Sequence, residues 1–392
     1  MKSKSYKIIA DANIPLAMEL FSSLGQVQLI DGRNLCRSDL QYTDILLVRS
    51  VTQVNKALLA ETPVKFVGTA TIGTDHIDLQ YLESNNIAFA SAPGCNANSV
   101  KEYVLSALAH TQQLQRLLRG EITLAIVGLG NVGSRLYQVC HQLGIKVVCF
   151  DPFLQEAGIT QLHLDPQVSI NWASWQQILK ADILTLHVPL TKTGKYPTYH
   201  LFNQESFEGM KSGALLINSS RGGVVDNLDL LAALKQKKIQ AILDVWEHEP
   251  NISTELRDLC LLSTPHIAGY SQDGKEMGTK MLFQALCQFL GGNFDSQEFH
   301  GDNTSYRPSR TIEWNNHWQS FECVEKIINL AYSIEIDSRN LCGVSEKNMG
   351  TEFDLLRRDY PARHEFLHWF IQGCPENQQL ALIKTLGFQF IL

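Results

Sequence analysis

No stretch of this sequence stays apolar long enough to span a bilayer, and Met1 to Tyr6 lacks the apolar core of a signal peptide. Mean hydropathy is −0.09. A cytoplasmic protein with no membrane partner is the expectation. The nine cysteines are odd in number and include no Cys-x-x-Cys pair, which argues for reduced thiols and against a disulfide framework or a zinc site. Cations are in the minority, 33 Lys and Arg against 40 Asp and Glu, for a net charge of −7. That balance argues against nucleic acid and anionic lipid as partners. Internal repeats and low-complexity tracts are missing too. What remains is ordinary globular material, 44% hydrophobic and 19% charged, and its 392 residues suit two or three domains.

What the chain does have is alternation. Short β-type runs at Tyr6–Ala10, Val27–Ile30, Asp44–Val48, Val64–Gly68 and Ile87–Ala90 are separated by helical stretches. Strands alternating with helices give a parallel sheet covered on both faces. A helix then carries apolar residues at Val100, Tyr103, Val104, Ala107, Leu108, Leu114, Leu117 and Leu118. Ser99 and Glu102 have the spacing of a capping box at its start. Later strands are expected at Ile183–Val188, Ala214–Asn218, Ala241–Val245 and Cys260–Ser263, and a long helix at Gly274–Leu290. The expected division is 1–98 with 269–290 as a substrate-binding domain, 99–268 as a nucleotide-binding domain, 291–310 as a linker and 311–392 as a third unit. That unit reads as helices at Phe321–Ala331, Arg363–Ile371 and Pro375–Leu386, closed by a strand at Phe388–Leu392.

The most informative stretch is Ile122-Thr-Leu-Ala-Ile-Val-Gly-Leu-Gly-Asn-Val-Gly-Ser-Arg135. An apolar strand runs into Gly128-x-Gly130-x-x-Gly133, a helical pattern follows to Leu143, and a second strand, Lys146–Phe150, ends at Asp151. This is a dinucleotide fingerprint in its full context. Gly128 permits the turn, Gly130 lets the backbone approach a pyrophosphate, and Gly133 lets the helix pack against the strand. Asn131 and Val132 open the helix whose free N–H groups favour an anion. Asp151 can accept the ribose hydroxyls and repels a 2′-phosphate, so NAD is the expected cofactor.

Three polar residues follow later strands: Arg221 in Asn218-Ser-Ser-Arg-Gly-Gly223, Glu249 in Asp244-Val-Trp-Glu-His-Glu-Pro250, and His266 in Thr264-Pro-His-Ile-Ala-Gly-Tyr270. An Arg fork suits a carboxylate. A His oriented by an acid is the usual proton-transfer pair near neutral pH. Alone, each reads as a surface or strand-end residue. Together at successive strand ends of one sheet, they read as a catalytic set.

These segments resemble the D-isomer-specific 2-hydroxyacid dehydrogenase family. The resemblance extends to Leu47-Val-Arg-Ser-Val-Thr-Gln-Val54, Phe66-Val-Gly-Thr-Ala-Thr-Ile-Gly-Thr-Asp-His76 and Ala92-Pro-Gly-Cys-Asn96. It implies an α/β fold with a Rossmann-type NAD domain and a flavodoxin-like substrate domain. It also implies an Arg221–Glu249–His266 catalytic set acting on a small phosphorylated 2-hydroxy acid. By the same resemblance Ser50 and Thr71 are substrate contacts, and Asp151, Val188, Ser219, Ser220, Asp244, Gly269 and Tyr270 are NAD contacts. Val188 stands where the family often has Thr. Arg49, beside Ser50, could add to a local anion site with Thr71. The third unit, with Glu352-Phe-Asp-Leu-Leu-Arg-Arg-Asp-Tyr360, is implied to be a small α+β dimerisation domain giving a homodimer. Its basic cluster of Arg357, Arg358 and Arg363 is a candidate phosphate site, with Arg363 favoured because it opens an expected helix.

Two competing readings can be set against this one. His364-Glu-Phe-Leu-His368 fits the HExxH zinc-protease pattern, but no further His follows it, and no metal is expected. A related dehydrogenase with another substrate, or a non-catalytic NAD-sensing protein of the same fold, would share the fingerprint. The intact Arg–Glu–His set favours an enzyme.

Overall fold

The computed structural model describes residues 5–291, 310–318, 321–373 and 375–391. The chain divides into two compact units, Met1–Asn96 with Ser271–Arg307, and Ala97–Tyr270 with Pro308–Leu392. Apart from its two ends, the expected linker 291–310 lies outside the described residues.

The first unit holds a five-stranded parallel sheet. Its spatial order is Gly25–Ile30, Tyr6–Asp11, Ile45–Val48, Phe66–Thr69 and Ala88–Ala90. This 2-1-3-4-5 order is the flavodoxin-like one. Alternation along the first strand explains its two cores. Ile8 and Ala10 face a cluster with Phe21, Leu282, Phe283 and Leu286, whereas Ile9 faces Leu40, Val54, Leu59 and Leu82. The long helix Gln272–Phe289 therefore does return to the first unit, with Phe283 packed edge-on to Phe21 at 5.5 Å.

The second unit is built on six parallel strands. Their order is Leu262–Ser263, Gln240–Leu243, Leu215–Asn218, Ile183–Leu186, Leu124–Val127 and Val147–Phe150. The chain starts at Leu124–Val127, steps outward to Val147–Phe150, then crosses to Ile183–Leu186 on the other side. That reversal makes a switch point at the carboxyl ends of the two inner strands, where such sheets bind ligands.

The C-terminal segment adds a three-stranded parallel sheet of Arg310–Glu313, Trp369–Gln372 and Gln389–Ile391. Its helices are Glu322–Ala331, Ile334–Cys342, Met349–Arg358 and Asn377–Leu386. It shares its cores with the nucleotide unit. Val324, Ile327, Ile328 and Phe366 join Val104, Leu108 and Leu136. Leu341, Met349 and Phe353 join Trp246, Ile252 and Leu256. The segment is thus a small α+β layer on that unit rather than a body of its own.

Two local expectations are corrected. Residues 363–371 are not a helix: Phe366–His368 is a single 3-10 turn that feeds the strand Trp369–Gln372. The run Trp-Phe-Ile has strong β character, and the sheet overrides the helical spacing. The two rings of the HExxH pattern lie edge to face at 5.7 Å, off any α-helical face. Ser99 and Glu102 do not cap a helix either. The helix begins at Ala97 and runs to His110, so both residues lie inside it and are buried. Ser99 donates to Glu365 Oε1 at 2.9 Å, and the Phe366 N–H donates to Glu102 Oε2 at 3.0 Å. Polar side chains that looked like caps are cross-links to the C-terminal layer.

Burial pushes the Glu102 carboxyl up to about 8; Glu365 adds to this, and the opposing effects of Lys101, the Phe366 N–H and Arg363 do not cancel it. The folded chain therefore keeps a proton that the unfolded chain releases above its ordinary pKa of about 4.3. Stability from this group falls as pH rises towards 8, by at most about 1.4 kcal/mol per pH unit. Lowering the pH from 8 to 6 should raise the thermal midpoint of the native chain more than that of Glu102→Gln. Equal pH responses would remove Glu102 from the account.

Candidate active site

The fingerprint folds as the sequence requires. Gly128 has φ of +88°, which a side chain would strain, and a Cβ on Gly133 would lie 2.0 Å from the Gly128 carbonyl oxygen. The helix Asn131–Gln142 can start this close to the strand only because Gly133 has no side chain. At Gly130 a Cβ would meet nothing within 4 Å, so the turn faces open space there. Asp151 ends its strand and is anchored beside the turn, Oδ2 accepting from the Leu129 N–H at 3.0 Å and Oδ1 from Leu154 N–H at 3.3 Å. Val188 lies over the turn, its Cγ1 only 2.7 Å from where a Cβ on Gly128 would stand. Ser219 Oγ is buried without a hydrogen-bond partner among the described residues. An open glycine cradle, an anchored acid and an unsatisfied hydroxyl fit a dinucleotide.

The proposed chemical groups follow three neighbouring strands. Arg221 comes after Leu215–Asn218, Glu249 after Gln240–Leu243, and His266 after Leu262–Ser263. His266 Nδ1 lies 2.8 Å from Glu249 Oε2, and the other carboxylate oxygen accepts the Trp246 N–H at 2.8 Å. With a carboxylate as acceptor, Nδ1 carries the hydrogen and Nε2 is the atom that can take a proton. Burial pushes the Glu249 carboxyl up. The imidazole, its hydrogen bond, the Trp246 N–H and Arg357 more than offset that, leaving it below the ordinary carboxylate range. His266 itself has φ of +57°, an uncommon conformation for a residue with a side chain. Asn218 shapes the Arg221 turn: its Oδ1 accepts from Ser220 N–H at 3.1 Å and from Ser220 Oγ at 2.8 Å, and its Nδ2 donates to the Arg221 carbonyl at 3.0 Å.

The loop that carries His266 is held from beneath. Asp244, expected as a cofactor contact, is buried and aimed at this loop. It accepts from Thr264 Oγ1 at 2.7 Å, Ile267 N–H at 2.8 Å and Ala268 N–H at 2.9 Å. Tyr103 OH extends the network to Thr264 Oγ1 at 2.8 Å. Arg363, the favoured phosphate ligand, is half-buried and clamps this loop, while its Nη1 has no hydrogen-bond partner among the described residues. Its Nη2 donates to the Ala268 carbonyl at 2.5 Å, and its guanidinium lies 4.4 Å from the Tyr332 ring centroid. Beyond Gly269, Tyr270 packs edge-on to Tyr360 at 5.8 Å. None of these roles has a motif, because each depends on a partner distant in sequence.

In the first unit, Arg49 and Ser50 follow the strand Ile45–Val48, and Thr71 follows Phe66–Thr69, again at carboxyl ends. Arg49 Nε lies 3.1 Å from the buried Asp11 Oδ1. Thr71 Oγ1 shares a hydrogen bond with Thr69 Oγ1 at 2.7 Å and donates to the Gly73 carbonyl at 2.9 Å. Ser50 is exposed.

Asp151 makes one outcome specific. Pro152 and Phe153 follow it, and no Arg is adjacent to balance a 2′-phosphate. NAD should exceed NADP in kcat/KM by at least about a hundredfold, because the carboxylate repels the extra anion. Equal use of the two cofactors would show that Asp151 does not face the ribose.

Comparison with known proteins identifies the family. The family described as D-isomer specific 2-hydroxyacid dehydrogenase, NAD binding domain, matches residues 98–268. An erythronate-4-phosphate dehydrogenase of Proteus mirabilis is 41% identical over 387 residues, covering 97% of this chain and 98% of the relative. One from Acinetobacter baumannii is 42% identical over 373 residues, covering 94% and 99%. Among solved structures, a D-lactate dehydrogenase from Aquifex aeolicus superposes with a TM-score of 0.60 at 24% identity, covering 73% of this chain and 96% of that one. The near-full-length identity and the NAD-binding domain place the chain in the erythronate-4-phosphate dehydrogenase family of NAD-dependent, D-isomer-specific 2-hydroxyacid dehydrogenases.

Proposed function

We propose that the chain oxidises 4-phospho-D-erythronate to 3-hydroxy-2-oxo-4-phosphobutanoate, a step in pyridoxal 5′-phosphate synthesis in the cytoplasm. The observation that carries this reading is the 2.8 Å His266–Glu249 pair, one strand away from Arg221 at the carboxyl edge of a nucleotide-binding sheet. Arg221 holds the C1 carboxylate and so fixes which face of C2 is presented. His266 Nε2 takes the C2 hydroxyl proton as the C2–O bond becomes a carbonyl. Glu249 keeps the ring oriented and balances the imidazolium that forms. NAD, when bound, accepts the hydride that leaves C2. Ser50, Thr71 and Arg49 stay the proposed substrate contacts by family resemblance.

We infer also that two copies pair through the C-terminal layer, where the apolar side chains of Leu330 and Ile336 are each more than half exposed. Light scattering at micromolar concentration reads this directly. For the reaction, NAD reduction is followed with 4-phospho-D-erythronate, D-erythronate, D-glycerate and D-lactate. The phosphorylated four-carbon acid should give the highest kcat/KM. A higher value for an unphosphorylated acid would assign the chain to another member of the wider family, and no NAD reduction with any of them would favour a non-catalytic sensor.

A further inference from the structure

Two of the three arginines in the C-terminal cluster are committed elsewhere. Arg358 forms a two-pronged, exposed pair with Asp359, both bonds at 2.8 Å. Arg363, half-buried, commits its Nη2 to the Ala268 carbonyl and its face to the Tyr332 ring, which leaves only Nη1 without a partner among the described residues. Arg357 is placed differently. It stands in the last turn of the helix Met349–Arg358, which is fixed firmly: Met349 and Phe353 share a core with Trp246 and Ile252. Gly350 meets Asn251 so closely that a Cβ would lie 2.4 Å from its Oδ1. This holds the helix against the turn that supplies Glu249.

From there the Arg357 side chain runs past Phe353 to Tyr270, its Cζ 5.9 Å from each ring centroid. Its nearest ion-pair partner is loose, with Nη1 3.9 Å from Asp354 Oδ1, beyond hydrogen-bond length. Its Nε is buried with no hydrogen-bond partner among the described residues. Burial works against the guanidinium charge, but Tyr270, Glu249 and Asp354 outweigh it. The same charge helps to hold the Glu249 carboxyl low. A guanidinium that is hydrogen-bonded to Tyr270 but keeps an unpartnered Nε, on a helix packed against the turn that supplies Glu249, is suited to a dianion with fixed geometry.

We propose that Arg357 binds the phosphate of the substrate, leaving Arg221 for the carboxylate. The proposal rests on the phosphorylated substrate argued above. That substrate is anionic at both ends, with the phosphate on C4 and the reacting carbon at C2. One cation site therefore cannot serve both groups while His266 reaches the hydroxyl between them.

The test compares the intact chain with Arg357→Gln on 4-phospho-D-erythronate and D-erythronate. Arg357→Lys, which keeps the charge, controls for folding. Arg357→Gln should raise KM for the phosphorylated acid about 10–100-fold, the range of a charge-assisted contact. KM for NAD should stay unchanged, and kcat/KM for D-erythronate should fall far less than that for the phosphorylated acid, since the lost charge also acts on Glu249; the preference for the phosphorylated acid therefore collapses, while Arg357→Lys keeps part of it. A preserved preference in Arg357→Gln overturns the proposal. So does an equal loss on both acids, which would mark Arg357 as a residue that acts only through Glu249. If the native chain itself shows no preference for the phosphorylated acid, the functional reading fails first. Calorimetric titration of inorganic phosphate then decides Arg357 by itself. Binding that the variant loses supports the site, and binding retained by the variant or absent from both proteins overturns it.

Discussion

Replacing His266 by Ala should lower kcat about 10²–10⁴-fold, the usual cost of losing a positioned general base, while NAD binding measured by fluorescence titration is unchanged. The split follows from the geometry. Nδ1 is engaged by Glu249 at 2.8 Å, so the ring has one remaining nitrogen for chemistry. The fingerprint turn and Asp151 lie on other strands and lose nothing. Glu249→Gln should cost less, since an amide oxygen can still accept from Nδ1 though it no longer balances an imidazolium. Near-normal turnover in His266→Ala would remove the acid–base assignment altogether.

The second large effect comes from a single methyl group. A Cβ on Gly222 would lie 1.9 Å from the Trp246 carbonyl oxygen, 2.0 Å from its carbon and 2.6 Å from the Glu247 nitrogen. All three atoms are backbone, so none can swing aside. Gly222→Ala must push the turn after Arg221 away from the turn that leads to Glu249. Overpacking of this kind costs about 1–3 kcal/mol of stability. A displacement near 1 Å between catalytic groups costs about a hundredfold in rate. We expect kcat/KM to fall at least about a hundredfold and the thermal midpoint to drop. Gly223→Ala is the matched control. Its Cβ would meet only the side chains of Leu190 and Tyr199, at 3.4 Å and beyond, which is ordinary contact. If the two variants behave alike, the close approach at Gly222 has no catalytic meaning.

The sequence carried what depends on short-range pattern. The glycine spacing at 128–133, the alternation that sends Ile8 and Ile9 to opposite cores, and the placing of polar residues after strands can all be read without coordinates. Long-range pairing could not be read. Ser99 and Glu102 look like a cap because the cap spacing recurs by chance; their partners, Glu365 and Phe366, lie more than 260 residues away. Trp369–Gln372 was open to a helical reading until its neighbours Arg310–Glu313 and Gln389–Ile391 supplied a sheet. Arg363 and Arg357 are close in sequence and equal in charge. Only packing separates a clamp on the Ala268 carbonyl from a guanidinium beside Tyr270. Asp244 illustrates the same limit within the site, since its acceptors are filled by a loop that no spacing rule connects to it.

The helix Ala97–His110 is covered by the nucleotide unit on one side and by the C-terminal layer on the other, and of its residues only Asn98 and His110 escape burial. An ordinary surface helix has a wet face that drifts freely under mutation; this one has none. Its fourteen positions therefore record whether the outer layer exists. In a gene fragment that stops before the layer is encoded, this helix would still reveal that the layer belongs to the protein. A shorter dehydrogenase evolving from this chain would have to rewrite the helix before it could discard the layer.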